Sequence, residues 1–363
     1  MKLKNVMVMA VILIMTASCD NSYYPSLDKV TKINEKDFHE ISLSGLNPKE
    51  IDLGLMGIIG VRYCDSLLVV TTLGTDRLLH LYDRHCLEHK GDFFTKGRGP
   101  KELLFPLFGS SLSLNNESGS YMMRFVDRYS DRLVEVNLSE SIKNKDLVLK
   151  EREFKSDEEL FTALPLDESR CFMKRMVQNG TCLERYVQDV EGTESMSQPM
   201  LKLNSCQIGN NDGYNINLFA GIVGYDSSRH LIVEAMSLLN LVQVYPVEGE
   251  GGYTLCYGKT MPDIRVLEKQ SPQLCTYHTG LSLNDSYFSV MYTDERVSGA
   301  TKEIHGYSWD GRPLFRIPLP SNIAKYDIDC KTGSLLTVDE EDHILEYNIE
   351  YLKSAGETRE DLI

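Results

Sequence analysis

"FFTKGRGPKELLFP", residues 93–106, sets two glycines, two prolines and three basic residues among apolar groups. Two readings compete for it: a backbone cradle for a phosphate, or a turn joining two repeated units. The nucleotide pattern G-x-G-x-x-G requires glycine at 102, where Glu102 stands, and no G-x-x-x-x-G-K-[ST] loop occurs anywhere in the chain. The stretch therefore reads as a connection. Gly97 and Gly99 are free to take positive φ, Pro100 fixes a turn, and Leu103, Leu104 and Phe105 are apolar wedges for a packed joint.

Outward from this joint, the chain is a succession of short β-branched, aromatic and aliphatic runs broken by Asp, Asn, Gly and Ser. Residues 57–65, 66–72, 77–83 and 88–95 form a first group of four strands. Similar groups follow from 108, 161, 219, 277 and 323, with the fourth strand of the third group expected near 200–204. The turn after each first strand carries Asp65, Asn115, Asp167, Asp226, Asp285 and Asp329, at gaps of 50, 52, 59, 59 and 44. A four-strand unit recurring every 50 or so residues predicts an all-β, six-bladed β-propeller of four-stranded antiparallel blades. Runs such as "LLVV" (67–70) are apolar on both faces, as stacked blades require. The sixth group lacks a fourth strand, and "DFHEISLS" (37–44) is the candidate that closes the last blade from the N-terminal side.

The 363 residues are 42% hydrophobic and 25% charged, an ordinary globular composition. Lys2 and Lys4 precede the ten-residue apolar run Val6–Met15. A bilayer-spanning helix needs about 20 such residues, so residues 1–18 read as a signal peptide. Ala17-Ser18-Cys19 resembles a bacterial lipoprotein processing site, which implies lipidation of Cys19. Residues 19–36 then form a tether, 37–352 the propeller and 353–363 a polar tail. Loss of Lys2 and Lys4 with the leader takes the net charge from −15 to −17. So acidic a body is repelled by nucleic acid, and it meets the membrane through the anchor alone. Eight further cysteines show no CxxC framework; they read as mostly buried thiols, with room for one or two bridges.

"GRGPKELLFP" resembles the inter-blade motif of NHL-type propellers, and "DRYSDRLVEVNL" (127–138) resembles their hairpin. With the lipoprotein-like start, residues 37–352 are similar to the TolB-like six-bladed propeller lipoproteins of Bacteroides-type bacteria. The resemblance implies an outer-membrane lipoprotein, periplasmic or cell-surface, that serves as a binding or scaffold propeller. In this reading Arg77 and Arg132, each following an Asp, clamp turns against the neighbouring blade.

No G-x-S-x-G or H-E-x-x-H motif is present. His80, His85, Cys86 and His89 crowd one hairpin, but strand alternation sends them to different faces, and "GNNDGYN" (209–215) lacks the glutamate of a calcium loop. No metal, cofactor or catalytic residue is assigned. Lys96, Arg98 and Lys101 form a basic spot on the inter-blade links, the expected binding face, suited to a protein or glycan ligand of a monomeric propeller. The competing expectation is an enzyme of lactonase or lyase type working at the axial channel.

Overall fold

The computed structural model describes residues 27, 29–104, 112–117, 119–154, 160–177, 182–195, 219–249, 251–258, 275–294 and 302–356. Three short strands come first: β1 (Lys29–Ile33), β2 (His39–Glu40) and β3 (Lys49–Ile51). Six small sheets follow. Blade 1 holds β4 (Ile58–Cys64), β5 (Leu67–Thr72), β6 (Arg77–Asp83), β7 (His89–Lys96) and the two-residue β8 (Glu102–Leu103). Blade 2 holds β9 (Leu112–Glu117), β10 (Ser120–Asp127), β11 (Arg132–Asn137) and, after helix α1 (Leu138–Asn144), β12 (Leu149–Glu153). Blade 3 holds β13 (Leu160–Pro165), β14 (Arg170–Val177), β15 (Cys182–Asp189) and β16 (Glu194–Ser195). Blade 4 holds β17 (Gly221–Asp226), β18 (Leu231–Met236), β19 (Leu241–Pro246) and β20 (Tyr253–Tyr257). Blade 5 holds β21 (His278–Leu283), β22 (Tyr287–Tyr292), β23 (Lys302–Ser308) and β24 (Pro313–Leu319). Blade 6 holds β25 (Ile323–Asp329), β26 (Ser334–Asp339) and β27 (Ile344–Asn348), with helix α2 (Tyr351–Ser354) after it. The protein is a six-bladed β-propeller.

The second strand of a blade shows why the ring forms. All six residues of β5 are buried. Leu67 and Val69 pack with Met123, Phe125 and Val134 of blade 2, whereas Leu68 and Val70 pack with Leu336 and Val338 of blade 6. In β22, Tyr287 and Met291 meet blade 6, and Phe288 and Val290 meet blade 4. The period-2 alternation of a strand thus feeds two separate cores, one on each side of the blade. Each such side chain contributes about 1.5–3 kcal/mol when removed from water, and a lone blade leaves both faces exposed.

Closure comes from an N-terminal strand, but not the one expected. Residues 37–44 do not pair with the last blade: His39 and Glu40 pair in parallel with Phe315 and Arg316 on blade 5, and Ile41 packs into the core between blades 5 and 6. The closing strand is β3, antiparallel to β27 with Ile51 opposite Ile344. Ile51 is buried between blades 6 and 1, and the Asp342 carboxylate accepts the Gly57 and Ile58 N–H groups at 2.7 and 2.8 Å. The expected tether is also partly folded, since β1 pairs in parallel with β20 on blade 4. The N-terminal segment therefore adds a strand to the outer edges of blades 4 and 5 before completing blade 6. At the other end, Leu352 and Ala355 are buried in the blade 5–6 core, so the packed body extends past 352 to Gly356. The fourth strand of blade 3 is β16, pairing with Val187 and Gln188; residues 200–204 lie outside the described residues.

The 93–106 stretch is the blade 1–2 connection. Leu103 packs with Phe125 and Val134 across the joint. Its glycines do not take positive φ. They are small because the Glu102 carboxylate folds back over them and accepts the Gly99 N–H at 2.8 Å, and a Cβ on Gly97 would meet that carboxylate. The residue that breaks the nucleotide pattern thus supplies the turn with its own anion. Arg132 clamps the turn as expected: Nη2 donates to the Glu102 carbonyl at 3.1 Å and Nε to Asp127 at 3.0 Å, with Glu151 as a further partner. Arg77 makes no equivalent clamp among the described residues and is exposed.

Candidate functional site

First strands β4, β9, β13, β17, β21 and β25 all run toward one end of the axis, because each is followed by a tight turn into its antiparallel neighbour. That end carries the first-to-second and third-to-fourth strand turns; the opposite end carries the links between blades. A funnel of about 1050 Å³ opens on the former. All six residues whose spacing marks the repeat, Asp65, Asn115, Asp167, Asp226, Asp285 and Asp329, line it.

Their recurrence has a local cause. A short acceptor side chain after an inner strand bonds the backbone of the turn it starts. Asp167 Oδ1 accepts the Ser169 and Arg170 N–H groups, both at 2.8 Å. Asp226 Oδ1 accepts Arg229 N–H at 2.7 Å, and Asp329 Oδ1 accepts Lys331 N–H at 2.9 Å.

Charged side chains then bridge neighbouring blades around the mouth. Arg84 of blade 1 pairs with Asp329 of blade 6, with Tyr63's ring 3.8 Å from its guanidinium carbon. Lys331 lies 3.8 Å from Asp65 and 3.4 Å from Asp285. Arg170 reaches Glu248 at 3.0 Å, and Asn116 donates to Asp65 at 2.7 Å. Within blade 2, Arg124 sits between Glu117 and Glu135 at 2.5 and 2.7 Å, and its hydrogen bond holds the Glu117 carboxyl below the usual range. Burial opposes ionisation of Asp329, yet Arg84 and Thr332 hold it low. Asp327 behaves in the opposite sense: burial pushes it up, although Arg62 and hydrogen bonds from Tyr63 N–H (2.8 Å) and Ser282 Oγ (2.7 Å) favour its charge.

The residues singled out from sequence lie elsewhere. Lys96, Arg98 and Lys101 are exposed on the link face, and Lys101 Nζ is paired with both oxygens of Asp146 at 2.6 Å. Cys19 and residues 209–215 lie outside the described residues. His80 and His89 meet at one oxygen of Asp92, each at 2.7 Å, while His85 turns to the funnel; no set of three metal-ligating side chains converges among the described residues. Cys64, Cys171, Cys256 and Cys330 are buried thiols in no disulfide. Trp309-Asp310-Gly311 is a strand end with a tight turn, Gly311 taking φ +87°. The bridging residues Arg84 and Lys331 were not singled out from sequence; the signal available was a basic residue directly after or two residues after a turn aspartate.

Six blades around a charged funnel define the class: a propeller with a charged cavity on its axis. Comparison with solved structures agrees. The chain is similar to a member of the DUF4221 family from Bacteroides vulgatus, at TM-score 0.52 and 9% identity over 80% of this chain and 91% of the other. It is also similar to a Bacteroides fragilis protein described as exported, at TM-score 0.52 and 12% identity over 88% of this chain and 99% of the other. At such identities the likeness shows the fold alone. No family model and no curated protein matches the sequence.

Proposed function

We propose that this protein is a non-catalytic binding propeller of the bacterial envelope that receives a polar ligand or partner segment in its axial funnel. The observation carrying this reading is how the funnel's charged groups are engaged. Turn N–H groups occupy Asp167, Asp226 and Asp329, and Arg84 reaches Asp329 from the next blade, which makes them parts of the frame, while Glu168 and Asp285, in ion pairs with Arg152 and Lys331, stand exposed at the rim beside them. Asp327 is the one observation favouring an axial enzyme, since a carboxyl pushed up by burial is a common acid catalyst. Both of its oxygens accept hydrogen bonds from blades 1 and 5, which supports a framework role.

A photo-cross-linking residue at Glu168 or Asp285 is expected to yield a discrete adduct in intact cells. The same probe at Lys96 or Arg98, on the link face, is the alternative location. Adducts from the link face alone would overturn the funnel reading.

We also read the chain as a TolB-like lipoprotein anchored through Cys19. Supporting this are the leader, the cysteine at its end and the exported description of the Bacteroides fragilis neighbour. Because β1 runs parallel to β20, Lys29 lies at the funnel end of blade 4. Leu27 follows Cys19 by eight residue steps, at most roughly 28 Å of extended chain, so an anchored propeller holds its funnel face close to the bilayer. Cys19→Ala is expected to move the protein from the membrane to the soluble fraction. Persistence in the membrane fraction, or a bilayer-to-body spacing beyond that reach in neutron reflectometry of the wild type, contradicts the anchor.

A further inference from the structure

Beneath the funnel the channel narrows to a waist of about 150 Å³, joined to it through Arg62 and Leu114, which line both. The waist is built by a repeated backbone device. The first strands of blades 1, 3, 5 and 6 carry a register shift at the second residue, and three of these shifts flank the waist, between Ile58 and Gly60, His278 and Gly280, and Ile323 and Lys325. Such bulges re-aim side chains, and here they do so at the same height on the axis. The residues just after the shift are Gly60, Gly280 and Lys325. Two of these equivalent positions are side-chain-free and the third sends a lysine into the space they leave. Gly280 is held to that size, as a Cβ would lie 2.6 Å from the Tyr326 ring. Gly60 stands opposite Thr71, leaving the space beside that threonine open to the channel.

The donors around this space are unusual. Among the described residues, five buried side-chain polar atoms have no hydrogen-bond partner, and two of them, Thr71 Oγ1 and Thr279 Oγ1, line this one small cavity. Thr71 itself is 3% exposed. A buried hydroxyl without a partner is destabilising by about 1–3 kcal/mol, so two in one place mark a site awaiting an acceptor. Two cations share the lining, Arg62 and Lys325. Arg62 also faces Asp327, whose carboxylate is turned to Tyr63 N–H and Ser282. Burial, and then the charge of Lys302, push the Lys325 ammonium below its usual range, which an arriving anion would relieve.

We propose that the waist is an oxyanion pocket, taking the carboxylate, phosphate or sulfate head of a ligand whose body lies in the funnel. The inference rests on the funnel reading above and names the chemistry of what the funnel holds. The volume, about that of five liquid waters, suits such a head and excludes a sugar ring or a side chain of tryptophan size.

The test uses the full chain with acetate, inorganic phosphate and sulfate as probes, read by calorimetry and by the shift in thermal unfolding. Saturable binding of at least one is expected, weakened about tenfold or more by Lys325→Met and by Thr71→Val. Thr71→Val carries a second signature, because removing an unpartnered hydroxyl should leave the ligand-free protein as stable as the wild type or more so. A merely structural threonine would show the reverse. Glucose 6-phosphate set against inorganic phosphate, and glucuronate against acetate, separate a ligand head from a free ion: tighter binding of the sugar-borne anion assigns a head group, and equal binding assigns the ion. Absence of saturable binding by all probes, or binding unchanged in both variants, overturns the pocket and assigns the waist to water. Cross-linking at Glu168 and Asp285 does not depend on Lys325 or Thr71. Adducts without oxyanion binding therefore retire the pocket while keeping the funnel.

Discussion

Glu234→Leu is expected to remove about 3–5 kcal/mol of stability, a large part of the roughly 5–15 kcal/mol available to a folded domain. Glu234 lies on β18 of blade 4 and is fully buried, as are Lys174 and Arg185 on β14 and β15 of blade 3. Lys174 Nζ contacts one carboxylate oxygen and donates to the Phe219 carbonyl at 2.9 Å. Arg185 Nη2 reaches the other oxygen at 2.5 Å and Gln243 at 2.7 Å, over the Tyr245 ring. Arg185 Nε and Nη1 have no acceptor among the described residues, so the cluster already carries an unmet demand there. Loss of this carboxylate, which both side chains contact, leaves the two cations facing each other out of water. Replacing the whole triad, Lys174→Met with Arg185→Met and Glu234→Leu, is expected to recover most of the loss, because well-packed apolar groups often equal a buried ion cluster. Denaturant unfolding of the single and triple variants decides the matter; a Glu234→Leu protein within 1 kcal/mol of the wild type would contradict the coupling. The carboxylate also has a pH signature. Burial opposes its charge, but Arg185 and Lys174 win and hold its pKa below the ordinary glutamate value. Its contribution is therefore present above pH of about 4.3 and is lost as acid protonates the folded state.

Ile51→Asp is expected to open the ring. Ile51 is 3% exposed and packs with Ile58, Val338 and Ile344 where the last blade meets the first. The loss of a buried isoleucine and the burial of a carboxylate together destabilise by at least about 4 kcal/mol. The freed edge of β27 becomes a pairing template, so association is expected as well as instability. Val30→Asp is the matched control: it lies on β1, is 39% exposed, and should change stability by no more than about 0.5 kcal/mol. Size-exclusion chromatography and denaturant unfolding read both effects. A monomeric Ile51→Asp protein as stable as the Val30→Asp protein would mean that β3 does not hold the ring shut.

These two positions differ in how far they could be read from the chain. A closing N-terminal strand was predictable from a sixth group with only three strands. Its identity was not, since "HE" at 39–40 and "KEI" at 49–51 are both too short to show a period. Both pair with a blade, and only the geometry of blades 5 and 6 says which strand each meets. Glu234 stands in "LIVEAM", and Lys174 and Arg185 in "RCFMKRMV" and "CLERYVQD". Charged residues inside apolar runs were visible there, but their convergence joins positions 60 and 49 residues apart across a blade interface.

By itself the sequence determined the number of blades, the four-strand unit and the turn positions. These depend on local periodicity and on short acceptor side chains that bond neighbouring backbone, and such interactions are written within a few residues. Only the tertiary structure decided where the charges meet: a funnel on the end opposite the basic spot of 96–101, a waist made by three bulges, and a closing strand at 49–51. Each of these joins side chains from separate blades, and the axis that brings them together exists only once all six blades have packed.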